Sequence, residues 1–229
     1  MVGRRVIMLG MALSACVATP IPRARPAWAG EASTDVDCSV WTARYSASAE
    51  PKSWRLRAAR RGYLCLEAAG ENPRPAWLAS LELSLDEPHS LELTERYCSR
   101  ATADPEDPVL AQAAQRSDLL TAACALGVAE RLKGEPQRQA LKRAVAADPN
   151  GVRGRRAMLA LARQASGDAD RRGWLRRAIE PRRGVWSSFG HAEFAGLRGA
   201  ADELVRVCER LDDRACVRFA KARLEELDR

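Results

Sequence analysis

Apolar residues recur at three- and four-residue spacing along most of this chain, and strict alternation is nearly absent, so the pattern predicts helices rather than sheet. From Pro51 onward, helix-length segments are separated by clusters of proline, glycine and aspartate. Pro75 opens a segment in which Trp77, Leu78, Leu81 and Leu85 share one face, with Pro88 as its expected end. Leu91, Thr94, Cys98 and Ala101 keep the spacing in the next segment. Leu120, Cys124 and Val128 form a stripe after Ser117 and Asp118, either of which suits an N-cap because its side-chain oxygen accepts from the free N–H groups of a first turn. Pro136 falls where a first turn tolerates proline, and Asp148-Pro149-Asn150-Gly151 closes that helix. Near the C-terminus, Leu204, Val207 and Leu211 line one helix, and Ala215, Phe219 and Leu227 line a second. The expectation is an all-α chain of short amphipathic helices with tight connections.

One segment repeats. Leu141-Lys142-Arg143-Ala144-Val145 is echoed 34 residues later by Leu175-Arg176-Arg177-Ala178-Ile179. That offset is the period of tetratricopeptide units, which are pairs of antiparallel helices. The stretch ALKRAVAADPNG resembles the second helix and closing turn of that family, with large Leu141 and small Ala144 at the close-packing positions. Ala125 and Val128 match first-helix positions, whereas Thr121 and Gln137 depart from the family's aromatic residue and alanine. The resemblance covers about residues 118 to 181 and implies a short α-solenoid of antiparallel helix pairs over residues 35–229. Such arrays bury a continuous core between neighbours and leave a concave surface for docking.

The N-terminus is of another kind. Arg4 and Arg5 precede an uncharged run from Val6 to Ala15, and Pro20 and Pro22 follow. As a helix that run covers roughly 15 Å, about half a bilayer's hydrocarbon thickness, so it reads as a targeting segment and not a span. Leu13-Ser14-Ala15-Cys16 resembles the lipobox of bacterial lipoproteins. The resemblance implies removal of residues 1–15 and acylation of the Cys16 thiol, with several chains giving stable anchoring. Val17 stands where an aspartate commonly marks inner-membrane retention, which implies the outer membrane. Residues 16–34, with Pro20, Pro22, Pro26 and Gly30, then form a flexible tether reaching roughly 3.1 Å per residue. The alternative is ordinary secretion, because Ala27-Trp28-Ala29 fits an A-x-A cleavage site and releases a periplasmic or secreted protein cut after Ala29.

With Cys16 acylated after the first cut or removed by the second, six cysteines of the seven are left to pair: Cys38, Cys65, Cys98, Cys124, Cys208 and Cys216. An even number in an exported chain points to disulfides, whereas in a reducing cytosol the same residues would be buried apolar filler. In CERLDDRAC an unbroken helix would hold Cys208 and Cys216 roughly 12 Å apart, beyond the roughly 7 Å Cα limit of a disulfide. A bond there requires a turn near Leu211-Asp212-Asp213. The spacing resembles the cysteine-paired variety of Sel-one-like repeats, and the resemblance implies a hairpin stapled by Cys208 and Cys216, with Asp212 or Asp213 capping the second helix. For the others, Cys38 is assigned to Cys65 and Cys98 to Cys124, each joining neighbouring helices.

Charge and composition narrow the function. The net charge is +7, and of the 37 basic residues only Lys52, Lys133, Lys142 and Lys221 are lysine, a bias that a GC-rich genome produces without selection for binding. No helix-turn-helix, zinc finger or aromatic ribonucleoprotein motif accompanies the charge, so nucleic acid is not the expected partner. No C-x-x-C occurs, and His89 and His191 lie far from paired cysteines, so no metal site is assigned. Ser187-Ser188-Phe189-Gly190-His191 lacks a nucleophile elbow and reads as a loop, and Gly151-Val152-Arg153-Gly154 lacks the G-K-[ST] of a phosphate loop. Glu92 and Glu95 sit among basic neighbours as expected ion pairs, and Trp54, Trp77 and Trp174 fit buried stripes. No catalytic residue and no cofactor is assigned. The expected role is a non-catalytic adaptor or assembly factor for an envelope machine of secretion, pilus or motility, held to the membrane by Cys16. The alternative is a basic module that binds anionic cell-wall or lipopolysaccharide components.

Overall fold

A computed structural model describes residues 37–100, 107–180 and 191–228, apart from the side chains of residues 191–195. Within those residues every regular element is a helix: α1 (Cys38–Ser46), α2 (Lys52–Ala68), α3 (Arg74–Leu83), α4 (Pro88–Ser99), α5 (Pro108–Ala114), α6 (Asp118–Arg131), α7 (Glu135–Ala147), α8 (Val152–Arg163), α9 (Asp168–Ile179), α10 (His191–Arg210) and α11 (Arg214–Leu227).

Short polar side chains start these helices. Asp37, Asp107, Ser117 and Asp213 each accept a backbone N–H from the first turn of α1, α5, α6 and α11. Asp148, expected only as part of a stop, also starts α8, because its carboxylate accepts from the N–H groups of Gly151, Arg153 and Gly154. Prolines likewise initiate. Pro75, Pro88, Pro108 and Pro136 all sit in first turns, where the missing N–H costs no hydrogen bond. Pro88 therefore opens α4 and does not close the preceding helix, which ends at Leu83.

Helices pack in pairs. Helix α1 lies on α2, and α2, α4, α6 and α8 neighbour one another in that order. Across from this row, α3 touches both α2 and α4, α7 touches α6 and α8, and α9 touches α8 and α10. Each pair thus leans on the next, as in an α-solenoid. The echoed segments fall at matching places: Leu141, Ala144 and Val145 are buried on α7, and Leu175, Ala178 and Ile179 on α9. At the crossing of α4 on α6, Gly127 permits close contact because a Cβ there would strike the carbonyl oxygen of Glu95.

Two clusters of buried polar groups are satisfied in different ways, one within a helical hairpin and one over long range. Between α3 and α4, the Trp77 indole N–H donates to Thr94 Oγ1 at 2.9 Å, Thr94 donates to the Ser90 carbonyl, and Ser90 donates to the Ser80 carbonyl. Trp77 also stacks on Tyr97 with ring centroids 4.1 Å apart. At the end of α9, Arg155 of α8 donates to the carbonyls of Ala178 and Glu180, and Arg223 of α11 donates to that of Ile179.

Three pairs of cysteine sulfurs lie at bonding distance. Cys38 and Cys65 join α1 to α2 with Cα atoms 5.6 Å apart, and Cys98 and Cys124 join α4 to α6 at 5.2 Å. Cys208 and Cys216 meet across the α10–α11 turn at 5.7 Å. That turn is set by backbone chemistry. The Asp213 N–H bonds back to the Cys208 carbonyl, Asp212 takes a left-handed φ of 49°, and Asp213 then accepts from the Cys216 N–H. The turn alters the expected stripes in part: Leu211 and Ala215 are exposed, whereas α11 buries Cys216, Ala220 and Arg223 and packs the partly buried Phe219 and Leu227 against the same core.

Candidate functional site

One side of α2, α4, α6 and α8 carries two adjoining hollows. The first, of about 280 Å³, is lined by Leu126, Ala129 and Glu130 of α6, Gln137 and Leu141 of α7, and Arg156, Leu159, Ala160 and Arg163 of α8. The second, of about 470 Å³, is walled by Glu67, Glu92, Glu95, Arg96, Ser99, Glu130, Arg153 and Arg156. They share Glu130 and Arg156. Helical spacing aligns the wall residues: 126, 129 and 130 share a face of α6, as do 156, 159, 160 and 163 on α8. The Asp148 cap fixes where α8 begins, and so which arginines turn inward.

The charges of the second hollow are mostly paired among themselves. Arg60 grips Glu92 with two hydrogen bonds, at 2.7 and 2.9 Å. Arg96 reaches Glu67 at 3.2 Å and Glu92 at 3.6 Å, and Arg100 reaches Glu67 at 3.6 Å. Glu95 is held by Arg156 at 2.7 Å and Arg153 at 3.6 Å. Burial pushes the Glu92 carboxyl up, but the hydrogen bond and charge of Arg60 outweigh it and hold the group below the ordinary glutamate range. Partial burial raises Glu130 instead, with the Glu95 carboxylate adding to the effect. Glu130 makes no ion pair or hydrogen bond among the described residues.

Glu95 has its oxygens engaged by two guanidiniums, whereas Glu130 is open to water and able to accept hydrogen bonds from a polar group that enters the hollow. Among the described residues no cluster of three His, Cys, Asp or Glu side chains is placed to hold a metal, and no helix is long and apolar enough to cross a membrane.

Of the residues singled out from sequence, Glu92 and Glu95 are brought together in this groove. Cys16, the leader over residues 1–15, the tether over 16–34, Ala29 and Ser187 to Gly190 lie outside the described residues. His191 is the first residue of α10. Trp77 is fully buried, whereas Trp54 and Trp174 are partly buried, each with an arginine (Arg57, Arg177) over its ring. Glu130, Arg156 and Arg163 were not anticipated. Their signal was present, since Leu126 to Glu130 and Leu159 to Arg163 are both four-residue steps from an apolar to a charged residue.

Comparison with protein-family models, curated proteins and solved structures finds nothing that matches this chain.

Proposed function

We propose that the protein is an outer-membrane lipoprotein, anchored through Cys16, whose tetratricopeptide- or Sel-one-like helix pairs dock another envelope protein as an adaptor or assembly factor. The observation that carries this reading is the groove along α2, α4, α6 and α8, where an apolar floor adjoins a bank of charges. Supporting it are the Leu13-Ser14-Ala15-Cys16 stretch, the cysteines arranged in pairs as an oxidising compartment allows, and the equivalent burial of the echoed segments on α7 and α9.

The test places a photo-crosslinking residue at Leu159, in the groove, or at Glu82, exposed on α3, and identifies attached neighbours by mass spectrometry in intact cells. A protein neighbour captured from Leu159 and not from Glu82 is the expected result, and its absence overturns docking. Anchoring is tested separately by metabolic labelling with an alkyne fatty acid. Wild type takes the label and Cys16→Ala does not; an unlabelled wild type ends the lipoprotein assignment.

A second reading has one observation in its favour. Residues 107–167 carry ten basic against five acidic side chains, with Lys142 and Arg143 exposed on α7. A basic face of this kind suits anionic wall or lipopolysaccharide groups, and such attachment falls steeply between low and moderate salt, where a protein complex with an apolar core persists.

A further inference from the structure

Every other carboxylate lining the second hollow has a guanidinium partner. Glu67 has Arg96 and Arg100, Glu92 has Arg60 and Arg96, and Glu95 has Arg153 and Arg156. Glu130, where the two hollows meet, has none among the described residues and is exposed, so a partner group reaches it without moving a helix. Beside it Leu126, Leu141 and Leu159 floor a space of about 280 Å³. That is just below the roughly 300–1,000 Å³ of small-molecule pockets and suits a side chain. Beyond the floor stands Arg163, two turns or about 10 Å along α8 from Arg156, also exposed and without an ion pair among the described residues.

We propose that this hollow receives a segment of a partner protein that presents a lysine or arginine next to a leucine-sized apolar side chain, the cation meeting Glu130 and the apolar group resting on Leu126, Leu141 and Leu159. The inference rests on the docking reading and names what is docked. Charge complementarity selects the occupant. A cation finds in Glu130 an acid not already engaged, while an anion entering beside it meets Glu130 and Glu95. Of the nearby guanidiniums, Arg153 and Arg156 are committed to Glu95 and Arg96 to Glu67 and Glu92, and the uncommitted Arg163 stands at the far end of the apolar floor. The charged groups sharing the two hollows with Glu130 are Glu67 on α2, Glu92, Glu95 and Arg96 on α4, and Arg153, Arg156 and Arg163 on α8, of which Glu95, Arg156 and Arg96 act on it electrostatically; α7 contributes only the uncharged Gln137 and Leu141. A bound cation favours the ionised carboxylate. Binding therefore weakens as pH falls through the titration of Glu130, which partial burial and Glu95 have raised above the ordinary glutamate range.

The experiment pans a random hexapeptide display library on the purified full chain and measures enriched peptides by fluorescence anisotropy. Enriched sequences are expected to place Lys or Arg beside Leu, Ile, Met or Phe. Their binding should fall about tenfold in Glu130→Gln and in Leu159→Ser, and stay unchanged in Glu82→Gln. Glu130→Lys should turn selection toward Asp or Glu in place of the cation, a gain that misfolding does not imitate. Enrichment of acidic peptides on wild type, no enrichment at all, affinity indifferent to Glu130→Gln, or displacement of the peptide by phosphatidylglycerol vesicles through Arg156 and Arg163 each overturns the proposal. The two readings separate cleanly. Crosslinks from Leu159 that persist in Glu130→Gln cells leave docking standing and remove this inference, whereas no protein crosslink from Leu159 removes docking itself.

Discussion

Between α3 and α4 the buried polar atoms are an indole and three hydroxyls whose partners lie within 17 residues, whereas at the end of α9 they are two guanidiniums reaching carbonyls 23 to 44 residues away. The first set forms as soon as one hairpin closes. The second forms only when α8 and α11 have both docked on α9, so the last carbonyls of α9 depend on tertiary assembly for their partners. Arg155 and Arg223 are both buried, and burial lowers the Arg223 pKa. The cysteine pairs differ too, in the opposite sense. Cys38 and Cys65 are separated by 27 residues, Cys98 and Cys124 by 26 and Cys208 and Cys216 by 8, so the longer loops lie before α7 and the C-terminal end has only a local clip.

This contrast can be broken at several points. Of the changes compared, replacing Cys98 and Cys124 together by serine should have the largest effect, because a 26-residue loop removes more unfolded-state entropy than the 8-residue one; the expected loss is about 3.5 kcal/mol in urea-induced unfolding. Next comes Arg155→Met, which keeps apolar volume but leaves the Ala178 and Glu180 carbonyls without their donor, at a cost of about 3 kcal/mol. Amide exchange should then rise at the end of α9 and leave α3 and α4 protected; uniform loss of protection would mean that the two regions are one cooperative unit. Serine at both Cys208 and Cys216 should cost about 2.5 kcal/mol, less than the Cys98 and Cys124 pair, and equal losses would show that loop length is not what matters here.

Smaller effects sharpen the other side of the contrast. Thr94→Val strands the Trp77 indole N–H and should cost about 1.5 kcal/mol, visible in thermal melting followed by tryptophan fluorescence. The smallest concerns Asp107, which caps α5 and accepts two hydrogen bonds from Arg74 on α3. Burial pushes its carboxyl up, but the hydrogen bonds from Arg74 and the Val109 N–H outweigh this and hold it below the ordinary aspartate range. Because the folded value is depressed, this group's contribution is present above the unfolded aspartate range and is lost as pH falls through the folded one. Asp107→Asn should flatten that acid limb slightly in urea titrations below about pH 4; an unchanged limb would mean the Arg74 contact contributes nothing in solution.

Reading the chain worked where partners are local. Ser117 as a cap, Pro136 in a first turn, the stop at Asp148 and the buried Trp77 and Leu81 all follow from interactions within one or two turns. It slipped where a neighbour from elsewhere sets the phase. Leu211 was expected on a buried stripe and is exposed, because Asp212 in left-handed geometry re-aims the chain before α11 begins. Helix α1 was expected only through the pairing of Cys38 with a neighbouring helix, and its fully buried Trp41 was not singled out. In the groove, Glu92 and Glu95 were legible as ion-paired acids, but Glu130 was not legible as the acid left over, since that depends on which arginines α4 and α8 bring near.

The order of residues alone determined that this chain is helical and where most helices begin and stop, because those properties arise from backbone sterics, capping and apolar spacing over a few residues. Tertiary packing decided the rest. It chose which carbonyls the buried arginines cap, brought α4 against Gly127, and set Glu130 beside Leu126, Leu141 and Leu159. Those outcomes depend on side chains tens of residues apart meeting within a few ångströms, a selection made by the whole folded free energy and not by any short stretch.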